Sequence, residues 1–129
     1  SLTSVIVEPE NRVYDSRGNC NAIIHTESNG LIVGCKNSLI PDGVISIEDW
    51  AFNGQRFLDS ITIPDSVIKI GYKAFGDCEL LASIVIPNKN VEIVHWAFSG
   101  CRSLIFASLS KTAKIYENTF ASHTILNRF

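Results

Sequence analysis

Long apolar runs are the first thing missing: no stretch of these 129 residues approaches the roughly eighteen apolar residues that a membrane-spanning helix needs. Charge of one sign is missing too. With 11 Lys and Arg against 13 Asp and Glu, the net charge of −2 leaves no basic footprint for nucleic acid. The 4 cysteines include no Cys-x-x-Cys pair, and His25, His95 and His123 are scattered, so a zinc site has no frame. Neither a Gly-x-Ser-x-Gly elbow nor a glycine-rich phosphate loop occurs. These absences leave an enzyme little to work with and give no reason to expect a cofactor. No secretory leader is visible either, which carries no weight in a chain that opens partway through a repeat unit.

What fills the chain instead is one phrase repeated. Ile47-x-x-x-Ala51-Phe52, Ile70-x-x-x-Ala74-Phe75 and Ile93-x-x-x-Ala97-Phe98 follow Pro41, Pro64 and Pro87, and both the phenylalanines and the prolines recur every 23 residues. A fixed period of that size marks a solenoid, in which no unit can bury its apolar face alone and each stacks on its neighbours. The product is an elongated surface rather than a cleft, which points to binding rather than catalysis.

Aligning the phenylalanines brings Leu58, Leu81 and Leu104 into one column, Ile63, Ile86 and Leu109 into a second, and Ile61, Ile84 and Ala107 into a third. The order Leu-x-x-Ile-x-Ile-Pro ends in alternation, which predicts a half-buried strand closed by proline in each unit. Asp42-Gly43, Asp65-Ser66 and Asn88 then supply turn chemistry. A second apolar step, Val44-x-x-Ile47 and Val67-x-x-Ile70, predicts a shorter strand, and Asp49-Trp50-Ala51-Phe52 with its equivalents predicts about one helical turn. Val91 sits one place late in its unit, so a small bulge is expected there. The fourth unit decays: Ile115 and Phe120 keep their spacing, but Ser110 replaces the proline and Thr119 the alanine, as happens in terminal repeats. Leu126 and Phe129 are expected to tuck beneath that last rung.

Residues 1–9 match the strand-and-proline part of a unit, Leu2-Thr3-Ser4-Val5-Ile6-Val7-Glu8-Pro9 against Leu58 to Pro64 with one insertion, and read as the tail of a truncated repeat cut at Ser1. Such a start leaves an open strand edge, through which association with another chain is expected. Residues 10–37 read as a hairpin-bearing insertion: a polar turn from Tyr14 to Asn19, then β-rich runs from Cys20 to Thr26 and from Leu31 to Cys35 around Asn29-Gly30. Residues 38–129 carry the regular repeats, and the whole chain makes one domain. With Asn29-Gly30 as a two-residue turn, Cys35 faces Ile24 and Cys20 lies too far away for ordinary disulfide geometry, although another loop register would bring the two closer. Cys78 and Cys101 stand on adjacent rungs, roughly 4.8 Å apart in a strand ladder. They read either as buried small residues in an apolar column or as a disulfide pair.

Strand residues between the buried columns face outward: Ser60, Ser83 and Phe106 in one row, Thr62, Val85 and Ser108 in the next. Phe106 breaks a row of small residues, and is either an anchor for a partner or a cap under the C-terminal tail. Trp50, Lys73 and Trp96 share a column two positions before the phenylalanines, so Lys73 lies on the rung between two indoles. That row is either a structural stack, worth roughly 0.5–1 kcal/mol per exposed cation–π contact, or a Trp-edged patch for protein or glycan ligands. The hairpin tip from Glu27 to Gly30 is a further candidate. Asp49, Tyr72, His95 and Glu117 fall in the adjoining column and read as a solvated face.

The Leu-x-x-Ile-x-Ile-Pro and Ile-x-x-x-Ala-Phe-x-x-Cys pattern, complete in residues 58–101, resembles the BspA-like leucine-rich repeats of bacterial surface proteins and of some protists. The segments Tyr14-Asp15-Ser16-Arg17, Asn19-Cys20-Asn21-Ala22-Ile23 and Leu31-Ile32-Val33-Gly34-Cys35-Lys36-Asn37 look like the hairpin-bearing unit of that family. The chain departs from the pattern at Gln55, where the cysteine column would begin, at Val91 and in its last unit. The resemblance implies a β-rich solenoid of the α/β leucine-rich-repeat class, with rungs of about 23 residues, a parallel ladder, a short second strand and the inserted hairpin. It further implies an extracellular or cell-surface protein that adheres to host matrix proteins or to other cells, with no catalytic residues to carry over. The expectation is a non-catalytic binding segment of an exported surface protein, without cofactor or metal. The alternative is a structural spacer that presents another module.

Overall fold

The shorter of the two expected strands builds the longer ladder. In the computed structural model, which describes residues 2–129, the strands in chain order are β1 (Tyr14–Asp15), β2 (Ile23–His25), β3 (Gly30–Val33), β4 (Ser46–Ile47), β5 (Lys69–Ile70), β6 (Ser83–Ile86), β7 (Glu92–Ile93), β8 (Phe106–Leu109), β9 (Lys114–Ile115) and β10 (Ile125–Arg128). One sheet has the order β1-β2-β3-β4-β5-β7-β9 and the other β10-β8-β6. From β3 onward the first sheet is parallel, and its register steps by one repeat: Ile47 pairs with Ile70, Ile70 with Ile93, and Ile93 with Ile115. Two residues per strand suffice because a rung is bonded on both sides. Ile47, Ile70 and Ile93 point inward and are fully buried, while Lys69 and Glu92 between them face out.

The interior is the predicted file of aromatic rings. Phe52 and Phe75 stack with centroids 5.0 Å apart and planes 5° apart, Phe75 and Phe98 at 5.1 Å and 2°, and Phe98 and Phe120 at 4.9 Å and 11°. The rings are parallel because equivalent backbones repeat beneath them, and their spacing is the rise of one rung. Leu58, Leu81 and Leu104 line the same core, with Ile63, Ile86 and Leu109 and the alanines Ala51, Ala74 and Ala97. Burying each phenylalanine contributes roughly 1.5–3 kcal/mol relative to exposure.

The helical turn expected at Asp49 to Phe52 is replaced by a chain of linked turns. Hydrogen bonds alternate there between the rung itself and the next one. Ala51 N–H donates to Glu48 C=O and Asn53 N–H to Trp50 C=O, whereas Phe52 N–H reaches Ala74 C=O and Gly54 N–H reaches Gly76 C=O. A right-handed helix would turn every amide back onto its own turn and leave terminal groups unpaired. A left-handed residue in each rung prevents this: Trp50, Lys73, Trp96 and Asn118 have φ of +65°, +49°, +61° and +57°. Val91 keeps its buried place, and the late position is absorbed by the turn before it, where Asn90 N–H donates to the Asn88 side chain at 2.8 Å. Beside it Lys69–Glu92 and Ile70–Ile93 pair without interruption, so the expected bulge is absent from this ladder.

Four readings of the two ends need correction. The segment from Tyr14 to Asn19 contains a strand, since β1 pairs antiparallel with β2. The hairpin loop spans residues 26–29 rather than Asn29-Gly30, because His25 pairs with Gly30 and Asn29 takes the left-handed position with φ of +57°. Gly30 belongs to the strand, where a Cβ would lie 2.5 Å from Glu48 Oε1. Leu31, not Cys35, therefore faces Ile24, and β3 joins β4 so that the hairpin forms the first rung. Residues 2–8 form no open strand: Val5 N–H is held by Asn21 Oδ1 at 2.7 Å and Val7 N–H by Ser16 Oγ at 2.9 Å. Ser1 lies outside the described residues. At the other end Leu126 and Phe129 are exposed, because the tail continues the second ladder as β10 and uses its backbone to pair with β8.

All 4 cysteines are buried free thiols. Cys78 Sγ donates to Phe52 C=O at 3.3 Å and Cys101 Sγ to Phe75 C=O at 3.0 Å, so each side chain ties its rung to the preceding one. The neighbouring Cys101 thiol and burial push the Cys78 thiol far up from its ordinary pKa, which suits a packing role rather than a nucleophile.

Candidate functional site

What the stack presents to solvent is rows, one side chain per rung. Among the described residues no group of three or more His, Cys, Asp or Glu could hold a metal ion, and no helix is long and apolar enough to cross a membrane.

The first row runs along the linked-turn edge. Its backbone is the left-handed column, a conformation that asparagine tolerates and that costs a bulky residue of order 1–3 kcal/mol. Rung-to-rung bonds hold it there, from Trp50 N–H to Tyr72 C=O at 2.9 Å and from Trp96 N–H to Asn118 C=O at 3.1 Å. The geometry throws both indoles outward: Trp50 is 51% exposed and Trp96 43%. Lys73 Nζ lies 5.2 Å from the Trp50 ring centroid and 5.7 Å from that of Tyr72, and the two rings meet edge to face at 5.4 Å. Lys73 is thus committed to the Trp50 side of the row. Although its rung lies between the two indoles, the ammonium goes to the side where two aromatic rings attract it rather than one.

The adjoining column is part of the same edge. Tyr72 N–H donates to Asp49 Oδ1 at 2.8 Å, the His95 ring stands 5.1 Å from Tyr116, and His95 Nδ1 lies 3.1 Å from Glu117 C=O. Asp49, Tyr72, His95 and Glu117 are all exposed, as the solvated-face reading expected, and Tyr72 and His95 in addition extend the aromatic edge. The available signal was a ring in one or both of two adjacent columns on three successive rungs, Trp50, then Tyr72, then His95 with Trp96.

The second row lies on the outer face of the three-stranded sheet. Phe106 is 51% exposed and pairs with Ser83 on one side and Ile125 on the other. It is therefore not capped by the tail but stands next to exposed Ile125 on an uncharged face with Val85 and Ser108. Arg56 and Arg102 flank Glu79 at 3.4 and 3.6 Å on three successive rungs. Of the four candidate binding residues, the structure groups Trp50 and Lys73, sets Trp96 on the next rung of the same edge, and places Phe106 on a different surface.

The hairpin tip is exposed at Thr26, Glu27 and Ser28 and is held at both ends of the loop. Arg17 grips Asp15 with two bonds of 2.7 Å and reaches Asn29 Oδ1 at 2.7 Å, while Thr26 Oγ1 donates to Asp15 at 2.7 Å. The Arg17 guanidinium holds the Asp15 carboxyl far below the usual carboxylate range.

Compared with known proteins, the chain matches a family model described as "BspA type Leucine rich repeat region" over residues 33–129, in 6 copies. No curated protein matches, and no solved structure does.

Proposed function

We propose, from the premise that this chain belongs to the BspA-type leucine-rich repeat family, that it is a non-catalytic binding segment of an exported cell-surface protein. Its partner is a protein, such as a host matrix or neighbouring-cell surface protein, or a glycan. The contacts are made by the stacked rows, Trp50, Lys73 and Trp96 on the linked-turn edge and Phe106 on the sheet. The observation that carries this reading is the exposure of large aromatic groups, rung after rung, on a backbone fixed by hydrogen bonds to both neighbours. Aromatic side chains are the groups most often found at binding hot spots, and a preordered surface loses little entropy when it engages.

A structural spacer is the rival reading, and it makes the rows ornaments of packing. Alanine replacement of Trp50, Trp96 and Phe106, singly and together, separates the two. Binding to a panel of matrix proteins and glycans, measured by surface plasmon resonance, is expected to fall at least about tenfold per decisive residue with the melting temperature unchanged. Full binding by the triple variant would favour the spacer.

A further inference from the structure

We infer that the linked-turn edge takes an extended, neutral saccharide chain, with the Trp50 and Trp96 indoles as its two stacking platforms. The inference rests on the reading that this edge binds a partner at all, and it names the class of ligand.

The backbone argues first. The fold needs a left-handed residue in this column, and at the fourth rung it uses Asn118, which is suited to that geometry. Trp50 and Trp96 occupy equivalent positions at φ of +65° and +61°. An indole held in a conformation that disfavours it, and left half exposed, serves something other than folding. Trp50 is also braced in place, by Tyr72 at its edge and by the Lys73 ammonium over its ring, so little rotamer freedom is lost on contact.

Shape argues next. A stable protein interface removes about 800 Å² from each partner and has a broad apolar centre. This edge is a strip two side chains wide, with Asp49, Tyr72, His95 and Glu117 running beside the tryptophan column, and it has no such centre. A narrow polymer fits it better than a flat face does. Successive rungs rise by about one strand spacing, roughly 4.8 Å, which is close to the length of one sugar ring in an extended chain. Two indoles separated by one intervening rung therefore meet every second sugar. The Trp96 ring and the side of the Trp50 ring away from Lys73 offer their quadrupole to sugar C–H groups, while Asp49, Lys73, His95 and Glu117 offer donors and acceptors to the hydroxyls between.

Charge decides the kind of saccharide. Exposed carboxylates stand at both ends of the row, Asp49 and Glu117; Lys73 between them is engaged over two aromatic rings, and Lys114, over the Tyr116 ring beside His95, is paired with Glu92 at 3.2 Å. A sulfated or uronate chain would meet repulsion at each end, whereas a neutral one would not.

The test uses the chain's own reporters, since its 2 tryptophans are both in the row. Tryptophan emission is titrated with neutral hexasaccharides (gluco-, xylo-, manno- and chito-oligomers), with the matching disaccharides and with a heparin hexasaccharide. A saturable change with a neutral hexasaccharide is expected, at least about tenfold tighter than with the disaccharide, and none with heparin. Trp50→Asn and Trp96→Asn should each weaken binding about tenfold or more while melting at or above the parent temperature, because asparagine suits the backbone. Emission unmoved by every neutral oligomer overturns the inference, as does preference for heparin. Should the same asparagine variants lose a matrix protein while no sugar binds, the saccharide is excluded but the edge remains a binding surface.

Discussion

The two ends of the phenylalanine file are closed by different means. At its start Phe52 lies under Gly34, where a Cβ would stand 2.1 Å from the ring and where Gly34 N–H donates to Ala51 C=O at 2.8 Å. A backbone, pressed flat onto the ring, does there what another phenylalanine does elsewhere. At the far end Phe120 stacks on Phe98 at 4.9 Å but is only partly buried, and Thr119 replaces the small alanine and satisfies its hydroxyl on Tyr116 C=O at 2.7 Å. The same residue type in the same column thus has two stacked neighbours in the middle, a glycine lid at one end and one neighbour at the other. In a solenoid the contribution of a residue is set by what lies on each side of its rung.

That comparison can be broken most decisively from its middle. Phe75 is enclosed on both faces, and Phe75→Ala is expected to cost about 3–5 kcal/mol by leaving a cavity between two rings that cannot collapse. Urea denaturation measures this, and a loss below about 2 kcal/mol would mean that the file does not act as one continuous core. Gly34→Ala comes next, at about 3 kcal/mol, the upper range for overpacking, because the methyl must displace the Phe52 ring. Hydrogen exchange should show its damage concentrated in β3 and β4 and fading towards β9. Phe120→Ala is expected to cost about 2 kcal/mol, less than Phe75→Ala, since one side of the ring already has fewer contacts. Equal losses at Phe75 and Phe120 would show the two positions to be equally enclosed, and the contrast between middle and end would fail.

Much of this was legible because a repeat reports itself. A 23-residue period needs no propensity argument, and the phenylalanine, leucine and isoleucine columns proved to be interior apart from Ile61, Ile115 and Phe120, which are partly buried against the core. The misreadings fall where the sequence signal is local. A short run such as Asp49-Trp50-Ala51-Phe52 looks helical by composition, and only the neighbouring rungs, which take alternate hydrogen bonds, reveal why it cannot close on itself. Asn29-Gly30 carries the strongest short-range turn signal in the chain, yet the parallel partner β4 claims Gly30 for the sheet. Columns predict which side chains are neighbours but not which way a flexible one leans, so the Trp50, Lys73 and Trp96 row was visible while the choice of Lys73 for Trp50 was not. Phe106 was readable as outward-facing, and its exposure was decided by the tail forming a strand beside it rather than over it.

The smallest expected effect concerns the hairpin that supplies the glycine lid. Asp15 accepts two bonds from the Arg17 guanidinium, one from the Arg17 backbone N–H and one from Thr26, and Arg17 also reaches Asn29, so the loop at residues 26–29 is clamped to β1. The pair is partly exposed, with side chains 32% and 27% accessible, so Arg17→Ala is expected to cost only about 1 kcal/mol at neutral pH. The sign of its pH dependence follows from the depressed Asp15 carboxyl. A group whose folded pKa lies below its unfolded value of about 3.9 contributes fully above that value and loses its contribution as the pH falls towards the folded pKa. The gap in melting temperature between parent and Arg17→Ala should therefore be largest near neutrality and narrow steadily below about pH 4. A gap that stayed constant down to pH 2 would mean that Arg17 acts through its stem and its bond to Asn29, not through the carboxylate. The lid over Phe52 would then owe its position to packing rather than to charge.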